Sequence, residues 1–150
     1  MKLDLKKVRK ELEPKKILPL KKLIERDIKV NHPGEKITLE QAVQILNQLK
    51  QDGSEFIRFG NTLFIVINPN DENIIFHTMN ADPPQTYLYN GLQFFSELHS
   101  RGKKQAVTYF SGPKITEYLK KIKLPSQTIT QSDDPSMGTT MLVTPLVGGA

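Results

Sequence analysis

Cysteine is missing from all 150 residues, which excludes a disulfide framework and thiolate chemistry, catalytic or metal-binding. No apolar run approaches the roughly 20 residues that cross a bilayer. The N-terminus is charged and lacks the apolar centre and small-residue cleavage site of a signal peptide. No internal repeat and no heptad run occurs. The expectation from these absences is a soluble protein in a cytosol-like setting. What is present is ordinary for a globular chain, 37% hydrophobic and 25% charged. The length suits one domain with a real core.

Excess charge is scarce outside the first thirty residues. Residues 1–30 hold 11 of the 21 Lys and Arg but 5 of the 16 Asp and Glu, a net of +6, and the other 120 residues net −1. Leu5, Val8 and Leu12 recur at spacings of three and four among Lys2, Lys6, Lys7, Arg9 and Lys10, the pattern of a short amphipathic helix. Pro14 and Pro19 push the residue before each away from helix. Residues 1–19 therefore read as a basic arm outside the core. Three roles stay open for it: a partner-binding segment using Leu5, Lys6, Val8, Arg9 and Leu12, a solvated tail, or a nucleic-acid contact. The arm has no aromatic residue, which weakens the last role for single strands, whose bases stack on rings.

The pattern predicts a helix over residues 20–30 with Leu20, Leu23, Ile24 and Ile28 inward, then a turn at His32-Pro33-Gly34. Thr38 and Gln41 stand at capping-box spacing. Leu39, Ala42, Val43, Leu46 and Leu49 mark the stripe of the helix they open, and Gly53 is placed to end it. Residues 56–59 and 62–67 flank Gly60-Asn61, a hairpin signal, and the continuous apolar run from Leu63 to Ile67 predicts a strand buried on both faces. Residues 68–73 form a polar turn and 74–79 a third strand, completing an antiparallel meander. A Pro-rich crossover over 80–85 leads to a helix from Tyr87 or Leu88 to His99, with Leu88, Leu92, Phe95 and Leu98 inward. A strand at 105–110, a helix at 114–123 opened by Pro113, and strands at 127–131 and 139–146 complete the order.

This order of elements, with "ITEYLKKIKL" at 115–124, resembles the GNAT superfamily of acetyl-CoA-dependent N-acetyltransferases over residues 20–147. The resemblance implies an α/β (α+β) fold: a mixed, mainly antiparallel twisted sheet flanked by helices, here with a basic N-terminal arm and a flexible end at 148–150. Such proteins hold the coenzyme A pyrophosphate on backbone N–H groups at the start of the crossover helix. The motif is Arg or Gln, two residues, Gly, one residue, then Gly or Ala. The corresponding stretch is Gln85, Thr86, Tyr87, Leu88, Tyr89 and Asn90. Leu88 and Asn90 stand where small residues are needed, and Gly91 comes one residue late. The tyrosine that many members use as general acid falls at Leu119, with Tyr118 turned away by about 100°. The expectation is no catalytic residue, no metal and no cofactor. The alternative is an acetyltransferase that binds acetyl-CoA through an atypical loop at Gln85, Tyr87, Leu88, Tyr89, Asn90 and Gly91.

A GNAT-like domain without its phosphate loop and with a basic arm is similar to small internal or structural virion proteins of short-tailed bacteriophages. That resemblance implies a non-catalytic assembly protein in the virion or host cytoplasm, docking to other virion proteins. Phe95 is assigned to the core, whereas Tyr87, Tyr89 and Phe94 are candidates for an exposed partner-binding patch. His32, His77 and His99 show no metal-ligand spacing, and isolated histidines are most often structural. Glu55, Glu72 and Glu97 could serve an amine nucleophile as bases, against the default of solvated carboxylates. Asp133-Asp134 reads as turn chemistry, and Ser111-Gly112 lacks the context of a nucleophile elbow.

Overall fold

The computed structural model describes residues 16–31, 34, 36–110, 128–131, 133 and 140–146. Three helices, α1 (Leu20–Asn31), α2 (Leu39–Gln51) and α3 (Pro84–Ser100), accompany six strands: β1 (Glu55–Phe59), β2 (Thr62–Val66), β3 (Asn73–Asn80), β4 (Gln105–Phe110), β5 (Thr128–Gln131) and β6 (Thr140–Pro145). The strands form one mixed, mostly antiparallel sheet in the order β1-β2-β3-β4-β6-β5. The predicted helix at 114–123 and most of the arm lie outside the described residues.

The chain clusters into two compact units. The first holds the described residues up to Asp52 together with Phe56–Phe64 and Thr78–Phe94. In it α1 and α2 pack together, burying Leu23, Ile24, Ala42 and Leu46. The capping box of α2 forms as its spacing requires. Thr38 Oγ1 accepts from the Gln41 amide at 3.1 Å, and Gln41 Oε1 accepts from the Thr38 amide at 3.0 Å. Gly60 takes a positive φ of 56° in the turn between β1 and β2, a conformation that costs glycine little. Phe64 of β2 stacks on Phe94 of α3 with centroids 4.1 Å apart and planes 7° from parallel.

The second unit holds Gly53–Glu55, Ile65–His77 and Phe95 onward. Its core includes Ile65, Val66, Ile74, Phe76, Leu98, Ala106, Val107 and Leu142. All five residues of β2 are buried, as its unbroken apolar run predicts. β4 pairs antiparallel with β6 along its whole length, from Gln105 opposite Pro145 to Phe110 opposite Thr140, and β6 pairs antiparallel with β5. Arg101 donates to both oxygens of Glu55 at 2.8 Å and to Glu97 at 3.0 Å. Lys103 Nζ donates to the carbonyls of Pro69 and Asp71, fixing the turn before β3.

The structure corrects the reading of α3. The helix begins at Pro84, three residues ahead of Tyr87, because Pro83 supplies the carbonyl that accepts from the Tyr87 amide at 2.8 Å and Pro84 takes the first helical position. Proline suits that position, where its missing N–H is no loss. The buried face is Thr86, Asn90, Phe94 and Leu98. Leu92, expected inside, is 65% exposed, and Phe94, expected on an exposed patch, is fully buried. Leu88 and Phe95 are half-buried, and Phe95 meets Phe76 edge-on at 6.0 Å.

Candidate functional site

Two places in the fold are candidates for a site. The first is where β3 and β4 part. They pair in parallel at Asn73 with Gln105, Ile74 with Ala106 and Ile75 with Val107, and no further β3–β4 pair follows among the described residues. In the second unit this leaves Phe76 and His77 on one strand, and Thr108 to Phe110 on the other, without each other as ladder partners. Side chains alternate along a strand, so His77 and Tyr109 fall on the face of the last pair, Ile75 and Val107. His77 is half-buried, and loss of hydration lowers its pKa from the ordinary histidine value; burial disfavours the charged ring. Tyr109 donates its hydroxyl to Asp133 at 2.7 Å, so Asp133 does more than shape a turn.

The second feature is the start of α3, in the first unit. A helix N-terminus attracts anions through amides that lack intrahelical partners. Here Pro84 has no amide hydrogen, and the Tyr87 amide is spent on Pro83. Two residues before the helix stands Asp82, 8% exposed. Its Oδ2 accepts from the backbone of Asn61 and from Asn90 Nδ2, both at 2.8 Å. Asn90 Nδ2 also donates to Thr62 Oγ1 at 2.9 Å, and Thr62 donates to Asn80 Oδ1 at 2.8 Å. Asn80 in turn donates its amide to Asp27 Oδ1 of α1 at 3.0 Å, and its Nδ2 to the Asp82 carbonyl at 2.9 Å. The result is a buried polar network whose members satisfy one another, as low-dielectric burial demands.

Gln85 is exposed on the first turn, and Tyr87, Leu88 and Tyr89 are half-buried. Burial raises the pKa of the Tyr87 hydroxyl, a hydrogen bond with Thr78 opposes the rise, and the Asp27 carboxylate adds to it. That hydroxyl therefore faces inward, and Tyr87 is corrected from the exposed patch along with Phe94. Tyr89 accepts from Gln93 at 3.3 Å. Gly91 lies mid-helix, and a Cβ there would meet nothing within 4 Å, so no close approach requires that glycine. Leu5, Lys6, Val8, Arg9 and Leu12 lie outside the described residues, as do His32, Ser111, Tyr118 and Leu119.

The three candidate bases are engaged by cations. Glu55 and Glu97 share Arg101, and Glu72 pairs with Lys104 at 3.2 Å. His99 is exposed in the last turn of α3. No group of three or more His, Cys, Asp or Glu able to hold a metal ion occurs among the described residues, and none of their helices is long and apolar enough to cross a membrane. Sequence reasoning missed Asp27, Thr62, Asn80 and Asp82 as a set. One signal was available: Asp27 interrupts the apolar stripe Leu20, Leu23, Ile24 and Ile28 at a position facing inward.

The crystal structure of a GNAT-family acetyltransferase from Staphylococcus aureus Mu50 superposes with a TM-score of 0.55 and 15% identity, over 84% of this chain and 92% of that one. The fold is GNAT-like. No protein-family model and no curated protein sequence matches the chain. The GNAT-like likeness therefore rests on architecture: a meander, a crossover helix, a parallel strand that parts from the meander, and a closing antiparallel pair.

Proposed function

We propose that this chain is a non-catalytic GNAT-like structural or assembly protein, a component of a bacteriophage virion that docks to other virion proteins. The observation that carries the non-catalytic part is the start of α3. Pyrophosphate needs several backbone amides presented by small residues. This chain offers two prolines there, no glycine before Gly91, and the Asp82 carboxylate already holding the donors nearest to it. These residues do not suit the pyrophosphate of coenzyme A, so no acetyl-transfer step is derived. The virion setting draws on the resemblance to phage internal proteins and on the basic arm, in whose sequence Leu5, Val8 and Leu12 recur at spacings of three and four.

A second reading, an acetyltransferase with an atypical cofactor loop, is favoured by the parting of β3 and β4. One experiment separates the two. Ligand binding to the native state raises the unfolding midpoint, by about 2.7 kcal/mol of stability at a hundred times Kd. Thermal unfolding with and without millimolar acetyl-CoA is expected to show no shift. A clear rise that disappears on substitution of Gln85 would restore the enzyme. The docking part is tested by sedimentation of a native lysate. Co-migration with large particles is the expected result, and a chain running as a free monomer would sink it.

A further inference from the structure

Within residues 1–30, the described basic side chains are Lys16, Lys21, Lys22, Arg26 and Lys29. α1 turns Leu23, Ile24 and Asp27 inward, each at 3% exposure or less. Leu23 and Ile24 thus belong to the core of the first unit, whereas Leu20 and Val30 of the same helix are exposed. Lys22, Arg26 and Lys29 are exposed. Their i, i+4, i+7 spacing sets them in one row about 10 Å long. Together with Leu18 and Glu25 they line a depression of about 330 Å³. Glu25 pairs with Lys22 at 3.8 Å, with both side chains well exposed. A surface pair of that kind is worth little and exchanges readily.

A separate observation fixes the edge of this depression. The Asn61 side-chain amide grips the segment before α1 much as a neighbouring strand would. Its Oδ1 accepts from the Leu18 amide at 2.8 Å, and its Nδ2 donates to the Lys16 carbonyl at 2.9 Å. Arg58 Nη2 donates to the Leu18 carbonyl and, at 3.0 Å, to Asn61 Oδ1. Leu18, held in this way, forms one wall. The basic row therefore stands on a preorganised surface, which lowers the ordering cost of binding.

We infer that this face binds the phosphodiester backbone of double-stranded nucleic acid without reading its sequence. Each strand of a duplex carries one charge per about 3.4 Å of axis, so a row about 10 Å long alongside one strand meets about three of them. The match is between a run of cations and a polymer of uniform negative charge. The lining residues include no aromatic ring, so the stacking that single strands require is not supplied. Exposed Lys16 and Lys21 lie next to the row in sequence.

The test uses the full chain and a fluorescein-labelled duplex of about 30 base pairs of arbitrary sequence, followed by anisotropy between about 50 and 200 mM NaCl. Binding is expected to weaken linearly in log–log coordinates. The variant Lys22→Gln/Arg26→Gln/Lys29→Gln, altered only at exposed positions, should lose about tenfold or more in affinity at the lower salt, and its salt slope should flatten by about 2.7, or about 0.9 for each lost contact. Lys36→Gln/Lys50→Gln, exposed but outside the row, should leave both unchanged. Unaltered melting of each variant reports that the fold is kept. An unchanged slope in the row variant, with binding lost on neutralising residues 2–10, would assign the contact to the arm alone and overturn the inference. So would tighter binding of a single strand, or binding of a poly-glutamate peptide in place of the duplex.

Discussion

Phe94 and Leu92 stand two positions apart on α3 and meet opposite surroundings. Phe94 is fully buried and stacked on Phe64, whereas Leu92 is 65% exposed. Truncating a buried phenylalanine forfeits its transfer energy and leaves a cavity. Phe94→Ala should therefore cost about 3–5 kcal/mol, while Leu92→Ala should stay within about 0.5 kcal/mol; urea unfolding measures both, and equal costs would mean that the helix face is misassigned. His77 makes a pH prediction. Its folded pKa lies below the unfolded value of 6.5, so between the two the unfolded chain binds the extra proton and stability falls as pH drops. The loss begins as pH falls through about 6.5 and levels off below the folded pKa. Melting from pH 8 to 5 should show this decline, and His77→Gln should flatten it (a decline of the same depth in the variant would assign it to other groups).

The elements differ in how plainly the sequence announces them. α2 carries its own start signal, since a capping box depends on two residues three apart and on nothing distant. Thr38→Ala should cost about 1 kcal/mol, with a range of about 0.5–2, read from the denaturant midpoint at unchanged slope. Gly60-Asn61 and the apolar run of β2 were likewise legible, because a tight turn and two-sided burial each leave a local mark. α3 was not. Its buried face mixes Thr86 and Asn90 with Phe94 and Leu98, so hydrophobic periodicity locks onto Leu88, Leu92 and Phe95 instead. Its start hides behind two prolines that read as loop. The polar network is invisible for a related reason: Asp27, Thr62, Asn80, Asp82 and Asn90 are scattered over 64 positions of sequence and gain meaning only when α1, β2, β3 and α3 meet.

At the scale of the whole molecule, charge and fold are separately arranged. Residues 1–30 carry a net +6 and the other 120 residues a net −1, so the acetyl-CoA and duplex assays interrogate different parts of the chain and can fail independently. The GNAT-like order of elements was legible because it depends on the succession of strands and helices, whereas the helix start that bears on cofactor binding depends on a few residues in a short connection. The Asp82 network also constrains how this chain could change. Removing the carboxylate alone would orphan the buried Asn61 amide, at about 1–3 kcal/mol for an unsatisfied group, and would leave Asn90 Nδ2 with Thr62 alone. Replacing Pro84 alone would leave that carboxylate in place. The substitutions that would open the helix start to phosphate therefore interact, and contacting residues do not add. A chain carrying this helix start would therefore lose stability before any anion-binding benefit appeared, which makes the start of α3 hard to change one residue at a time.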